Sequence, residues 1–115
     1  MLARVNTIKK AQDFDAIFKG AKSFRSDFFS LKTIKNKSGA NRFAFMVSQK
    51  VSKKAVLRNK VRRRLAESVQ GEMKRIKKGT DLLIIALPGI EKKEFIEIKT
   101  TLVEALKRAG LIAND

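Results

Sequence analysis

The chain contains no cysteine and no histidine. Disulfides, thiol nucleophiles, Cys/His zinc sites and imidazole acid–base chemistry are therefore excluded. Acids are also scarce: 11 Asp and Glu stand against 27 Lys and Arg. They are scattered, which leaves little for chemistry by clustered carboxylates. With one proline and no Ser/Gly-rich or low-complexity stretch, nothing marks a linker or an internal repeat, and residues 1–115 read as a single domain. Long apolar runs are missing too. The longest, Leu82 to Leu87, falls far short of the roughly 20 residues that span a bilayer. Arg4, Lys9 and Lys10 are not followed by an apolar block, so no signal peptide is expected. The composition fits a cytoplasmic protein with no membrane partner.

What the chain has in excess is positive charge. The net charge is +16, far more than solubility needs, and it points to a phosphate-rich partner. With 43% hydrophobic residues the chain still folds around a core and is not a disordered basic tail. The charge is densest from Lys50 to Arg64, a stretch holding Lys50, Lys53, Lys54, Arg58, Lys60, Arg62, Arg63 and Arg64 and no acid. Such crowding repels itself, and a polyanion relieves it. A solvated helix face is the ordinary reading of a basic run. Here Asn59, a poor helix former with an amide that both donates and accepts, argues for recognition.

The patterning predicts α+β architecture, a two-layer sandwich of sheet and helices. Met1 to Thr7 reads as an arm, with Asn6 or Thr7 capping a helix from about Lys9 to Lys19 and Gly20 stopping it. Ile8, Ala11, Phe14 and Phe18 share one face of that helix, with Ile17 at its edge. Helical spacing makes core the default for Phe14 and Phe18; the alternative is a groove where bases stack on them. Phe28 to Lys35 alternates as a strand with Phe29, Leu31 and Thr33 inward. The turn residues 36–39 predict a hairpin to a second strand from Asn41 to Ser48.

A helix is then expected from Ser52, as N-cap, to about Gln70, with Leu57, Val61, Leu65 and Val69 buried and Gly71 weakening or ending it. Asn59, Lys60 and Arg63 fall opposite that stripe, Arg62 near its border, and Arg58 close enough for its stem to lie on protein. Lys74, Arg75, Lys77 and Lys78 read as solvated. Asp81 to Leu87 is a central strand covered on both faces. The last helix runs from Lys92 or Lys93 to Arg108, closed by Gly110.

Around the basic stretch the sequence resembles the signature of the bacterial ribonuclease P protein subunit family. The family pattern is Val-Ser-Lys-Lys-Val-Gly, Ala-Val, Arg-Asn-Arg, a basic pair and Arg-Glu. It stands here as Val47-Ser48-Gln49-Lys50-Val51-Ser52, Ala55-Val56, Arg58-Asn59-Lys60, Arg62-Arg63 and Ala66-Glu67. Lys9-Lys10, Asp13-Phe14, Ile17-Phe18 and Gly20 match the family's first helix, Asp81 to Ala86 its last strand, and Lys107 to Gly110 the end of its final helix. The departures are Gln49 for Lys, Ser52 and Ala44 for Gly, Lys60 for Arg and Ala66 for Arg. At position 60 the charge survives but the planar guanidinium fork does not.

The resemblance implies a sheet of about four strands with three helices and a left-handed crossover, in the small subunit of a ribonucleoprotein that removes the 5′ leader of precursor transfer RNA. It implies ribonuclease P RNA and precursor tRNA as partners and no obligate protein partner. The active site and the Mg²⁺ would reside in the RNA, with no catalytic or metal-holding side chain here. Asp13 and Asp15, two apart on a helix, do not converge on a metal. The expected RNA-binding residues are Arg58, Asn59, Lys60, Arg62, Arg63, Lys53, Lys54, Lys50 and Ser48. Phe14, Phe18 and Arg42 are expected to line a groove for the leader. A ribosomal or other structural RNA-binding protein would share the composition, as would a DNA-binding architectural protein; only the ordered motif separates them.

Overall fold

The computed structural model describes residues 8, 11–20, 22–37 and 39–112, the side chains of Ala11, Asp13 and Gly20 excepted. The proposed arm, its capping residues, Lys9, Lys10 and Ser38 lie outside the described residues. The elements follow as α1 (Ala11–Gly20), β1 (Lys22–Arg25), β2 (Phe29–Lys35), β3 (Arg42–Met46), α2 (Ala55–Glu72), β4 (Thr80–Ala86) and α3 (Phe95–Arg108), with a single 3₁₀ turn at Ile90–Lys92 before α3. The expected mixed α+β class, a four-stranded sheet with three helices, is what forms.

The strand order is β1-β2-β4-β3. β4 runs antiparallel to β2 and parallel to β3. The predicted hairpin between β2 and β3 is therefore wrong: β4 is seated between them. Both β2 and β3 can turn an apolar side to a neighbour, and only β4 is apolar on both faces. Asn36 does hold Gly39, whose N–H donates to its Oδ1 at 3.2 Å, but other bonds of Asn36 reach the start of β4. The Asn36 side-chain amide donates to Ala40 O at 2.9 Å and to Asp81 Oδ1 at 2.7 Å, and the Asn36 backbone N–H donates to Gly79 O at 2.8 Å. The hairpin actually present joins β1 to β2, and Ser26 Oγ holds its turn by accepting from the Phe29 N–H at 3.1 Å. β1 is short and mostly exposed, and it was not anticipated.

Leu82, Ile84 and Ala86 of β4 share a core with Leu31, Phe43, Val61, Leu65, Ile98 and Leu102, under α2 and α3. On the opposite face Leu83 joins Ile8, Ile17 and Ala44 in a smaller core beneath α1, with Phe14, Ile34 and Ile85 packed at its margin. The helix α1 thus covers part of the face that α2 and α3 leave bare. Ile17, expected at the edge of the apolar face, is fully buried, whereas Phe18 is 49% exposed. Phe14 is half-buried.

The long helix starts two residues later than the capping pattern predicts. Lys54 is the N-cap, and Ser52 Oγ instead accepts from the Lys54 N–H at 3.2 Å. The helix continues through Gly71 to Glu72. The end of α3 matches the expectation: Gly110 adopts φ 72°, its N–H bonds Lys107 O at 3.0 Å, and the Leu111 N–H bonds Leu106 O at 2.9 Å. This pair of bonds is the Schellman arrangement, and it needs a residue tolerant of positive φ.

Ile17→Ala should lower unfolding stability by about 2–4 kcal/mol, because it empties the smaller core. Phe18→Ala should cost under about 1 kcal/mol. Chemical denaturation of the two variants checks the contrast, and equal losses would contradict this burial. Removing Asp81, whose carboxylate is buried against Arg42, should cost about 3 kcal/mol in the same assay by leaving the arginine without its counter-charge.

Candidate nucleic-acid interface

Cross-strand pairing places side chains of one sheet face in rows. Arg25, Ser30, Ile85 and Met46 form one row, and Ser23, Lys32, Leu83 and Ala44 the next. A third row holds Ile34, Asp81 and Arg42. The smaller core sits over Leu83 and Ala44. The first row is more open: Met46 is 44% exposed, and Ser30 and Ile85 are only half-buried. Beside α1 this row leaves part of the sheet face open. Phe18 borders it, with Lys32 Nζ 5.8 Å from the ring centroid, a cation–π approach. Lys32 Nζ also donates to Ser23 Oγ at 3.2 Å, which ties the floor to β1. Lys32, Arg25 and Met46 were not singled out from sequence. The alternation of β2, which puts Lys32 opposite Leu31, was the available signal.

Arg42 lies on the same face but two rows from Met46. Its Nε donates to Asp81 Oδ1 at 2.8 Å and its Nη2 to Asp81 Oδ2 at 2.6 Å. A fork-to-carboxylate pair of this kind is well ordered. It fixes the start of β4 against β3, so Arg42 serves the sheet first and is not a loose cation of the groove. Phe14 likewise packs at the core margin. Of the three expected groove residues, Phe18 is the one presented outward.

β3 leads into the segment carrying Ser48 and Lys50, both exposed, at the end of the sheet where the open row lies. Ser48 folds this turn: its Oγ accepts from the Lys50 N–H at 3.2 Å, and its carbonyl accepts from the Val51 N–H at 3.1 Å. The segment then enters α2. Lys53, Lys54, Asn59, Lys60, Arg62 and Arg63 are exposed, while Val61, Leu65 and Val69 are buried on the other side and Leu57 is half-buried. The predicted partition of the helix therefore holds.

Three arginines of α2 depart from simple solvation. Arg58 Nη1 donates to Ser52 O at 3.0 Å and Lys53 O at 2.9 Å, which locks the loop ahead of the helix. Arg62 Nη1 donates to Asn59 Oδ1 at 2.6 Å, so the Asn59 NH₂ group remains for another acceptor. Arg64, which might have added to the basic face, reaches the other way and donates to Lys93 O at 2.9 Å. Glu67 stands one turn beyond Arg63 but forms no ion pair with it.

The acids do not gather. Asp81 is held by Arg42 and Asn36, Glu72 accepts from Arg75 at 3.1 Å, and Glu91 accepts from the Gly89 N–H at 2.7 Å. Among the described residues no group of three or more Asp or Glu could hold a metal ion. No described helix is long and apolar enough to cross a membrane.

The family model for ribonuclease P matches residues 2–110. A ribonuclease P protein component from Clostridium botulinum (strain 657 / Type Ba4) is 36% identical over 107 residues, covering 92% of this chain and 96% of its own. One from Thermoanaerobacter sp. (strain X514) is 30% identical over 115 residues, covering 100% and 98%. The fold matches the RNase P protein of Staphylococcus aureus with a TM-score of 0.85 at 30% identity, over 94% of this chain and 98% of that one. It matches that of Thermotoga maritima at 0.79 and 28%, over 89% and 96%. In sequence over nearly its whole length, and in fold, this chain belongs to the ribonuclease P family, as the protein component of that endoribonuclease.

Proposed function

We propose that the protein grips ribonuclease P RNA with the exposed basic side of α2 and takes the single-stranded 5′ leader of precursor tRNA along the α1 groove. The family's catalysis is RNA-dependent, and the Mg²⁺ that drives hydrolysis is held by RNA phosphates. The observation that carries this reading is the presence of two different surfaces, one on each side of the sheet. One is a helix face of cations with no carboxylate paired to it among the described residues. The other is a groove with an outward aromatic, Phe18, backed by Lys32.

The chemistry of each surface suits its partner. Lys53, Lys54, Lys60 and Arg63 meet phosphates as charges and release their counterions. The free NH₂ of Asn59 suits a ribose hydroxyl or a base edge. Arg58 is pre-ordered by its two carbonyl contacts and keeps further N–H groups for RNA. In the groove, a half-exposed ring stacks on any base, and a leader that varies in sequence requires that tolerance. The described carboxylates are engaged or scattered, so the protein's own contribution is to bring two polyanions together. Its place of action is the cytoplasm, where precursor tRNA is processed.

Adding the protein to ribonuclease P RNA and precursor tRNA at low Mg²⁺ should stimulate cleavage; no stimulation would refute this function. Phe18→Ala should weaken binding of leader-bearing substrate by roughly 5- to 100-fold, the range of one base stack, and leave mature tRNA unaffected. Arg62→Ala/Arg63→Ala should weaken binding to ribonuclease P RNA and flatten its log–log salt dependence by about 0.9 per phosphate lost, with little change in melting temperature. Arg58→Ala should lower both affinity and stability, since it also frees the Ser52 and Lys53 carbonyls.

A further inference from the structure

The end of α2 farthest from the Arg58–Arg63 cluster carries a second concentration of cations. Here the chain opens a groove of ≈ 610 Å³ between the 39–41 segment and the last turn of α2. Opposite residues 39–41 it is lined by Gln70, Met73, Lys74, Ile76 and Lys78. Lys74 and Lys78 are exposed and have no ion-pair or hydrogen-bond partner among the described residues. The neighbouring Arg75 is occupied by Glu72. The favourable dipole at a helix C-terminus accounts for one lysine there, but not for Lys78 beyond the turn.

The walls are fixed. The buried Asn41 donates its amide to Ile76 O at 3.3 Å and accepts from the Thr80 N–H at 3.1 Å through Oδ1. Thr80 Oγ1 donates to Lys77 O at 2.8 Å, and the Lys77 N–H donates to Leu111 O at 2.9 Å. The connection from α2 to β4 is thus stapled to β3 and to the end of α3. Its volume lies within the range of specific ligand sites, about 300–1,000 Å³. Apolar atoms of Met73 and Ile76 between lysines suit a sugar or base with flanking phosphates.

We propose that this groove seats a single strand of ribonuclease P RNA, as a second contact on the same molecule that binds the basic half of α2. The inference rests on the function proposed above. It follows from the continuity of the exposed side of α2: Asn59, Arg63, Glu67 and Gln70 succeed one another at helical spacing, and the exposed Lys74 follows in the turn just beyond the helix end. Arg63 and Gln70 are about 10.5 Å apart at 1.5 Å per residue, with Glu67 interrupting the charge before Lys74 beyond the helix end. An RNA following α2 lengthwise meets cations at both ends of the helix. The precursor's leader, in contrast, lies across the sheet on the α1 side.

The test uses the full chain with ribonuclease P RNA, measuring dissociation constants over a series of salt concentrations. Lys74→Ala/Lys78→Ala should weaken binding roughly tenfold and reduce the salt slope by about 1.4–1.8, the equivalent of two phosphates. The melting temperature should not move. The control is Lys92→Ala/Arg108→Ala, which removes the same charge from other exposed positions and should have a smaller effect. Equal losses from both pairs would mean net charge alone and would overturn the proposal. So would a loss seen only with precursor tRNA. If the unsubstituted chain fails to bind the RNA, the function proposed above falls as well; if only the Lys74/Lys78 pair is silent, this second contact alone is refuted.

Discussion

The structure depends on one strand being buried on both of its faces. Leu82, Ile84 and Ala86 supply the larger core, and Leu83 anchors the smaller one. A strand of this kind is favoured in the interior of a sheet, where layers cover both faces and neighbours pair both of its edges. It takes the interior position, and its neighbours are separated to admit it. The two surfaces proposed for RNA follow from this placement. The α2 face is set by packing on one side of β4, and the α1 groove by what remains uncovered on the other. The Arg42–Asp81 pair and Asn36 fix where β4 begins, and hence the register of every row across the groove floor.

A chain with net charge +16 must fold despite its own repulsion. The two kinds of cation divide the work. Arg42, Arg58, Arg62, Arg64 and Arg75 each hold a carboxylate, a carbonyl or an amide oxygen of the protein. A planar fork can do this and still present N–H groups outward. Many of the lysines, among them Lys53, Lys54, Lys60, Lys74 and Lys78, are exposed and have no such partner among the described residues. The arginines therefore stiffen the basic surface, and the lysines leave much of its charge available to an incoming polyanion.

Much of this was legible from the residues. The period of four along Leu57, Val61, Leu65 and Val69 set the orientation of α2 and therefore the identity of its outward cations. The unbroken apolar run of β4 predicted an interior strand. The failures were of three kinds. Turn residues 36–39 report that the chain reverses, not which strand it will lie beside, so the adjacency of β2 and β3 was misread. Spacing in α1 could not rank Ile17 against Phe18, because the narrow strip of sheet beneath the helix decides which of them is covered. Arg42 was visible as a cation, but its partner lies 39 positions away in sequence, and no local pattern reveals that.

The interposition of β4 also has a consequence for how the chain is made. Synthesis is vectorial, and β2 and β3 both leave the ribosome before the strand that must separate them. Until β4 emerges, each presents an open edge, and the intervening segment is the most cationic of the chain. Mutual repulsion within that segment discourages premature collapse and association of nascent chains.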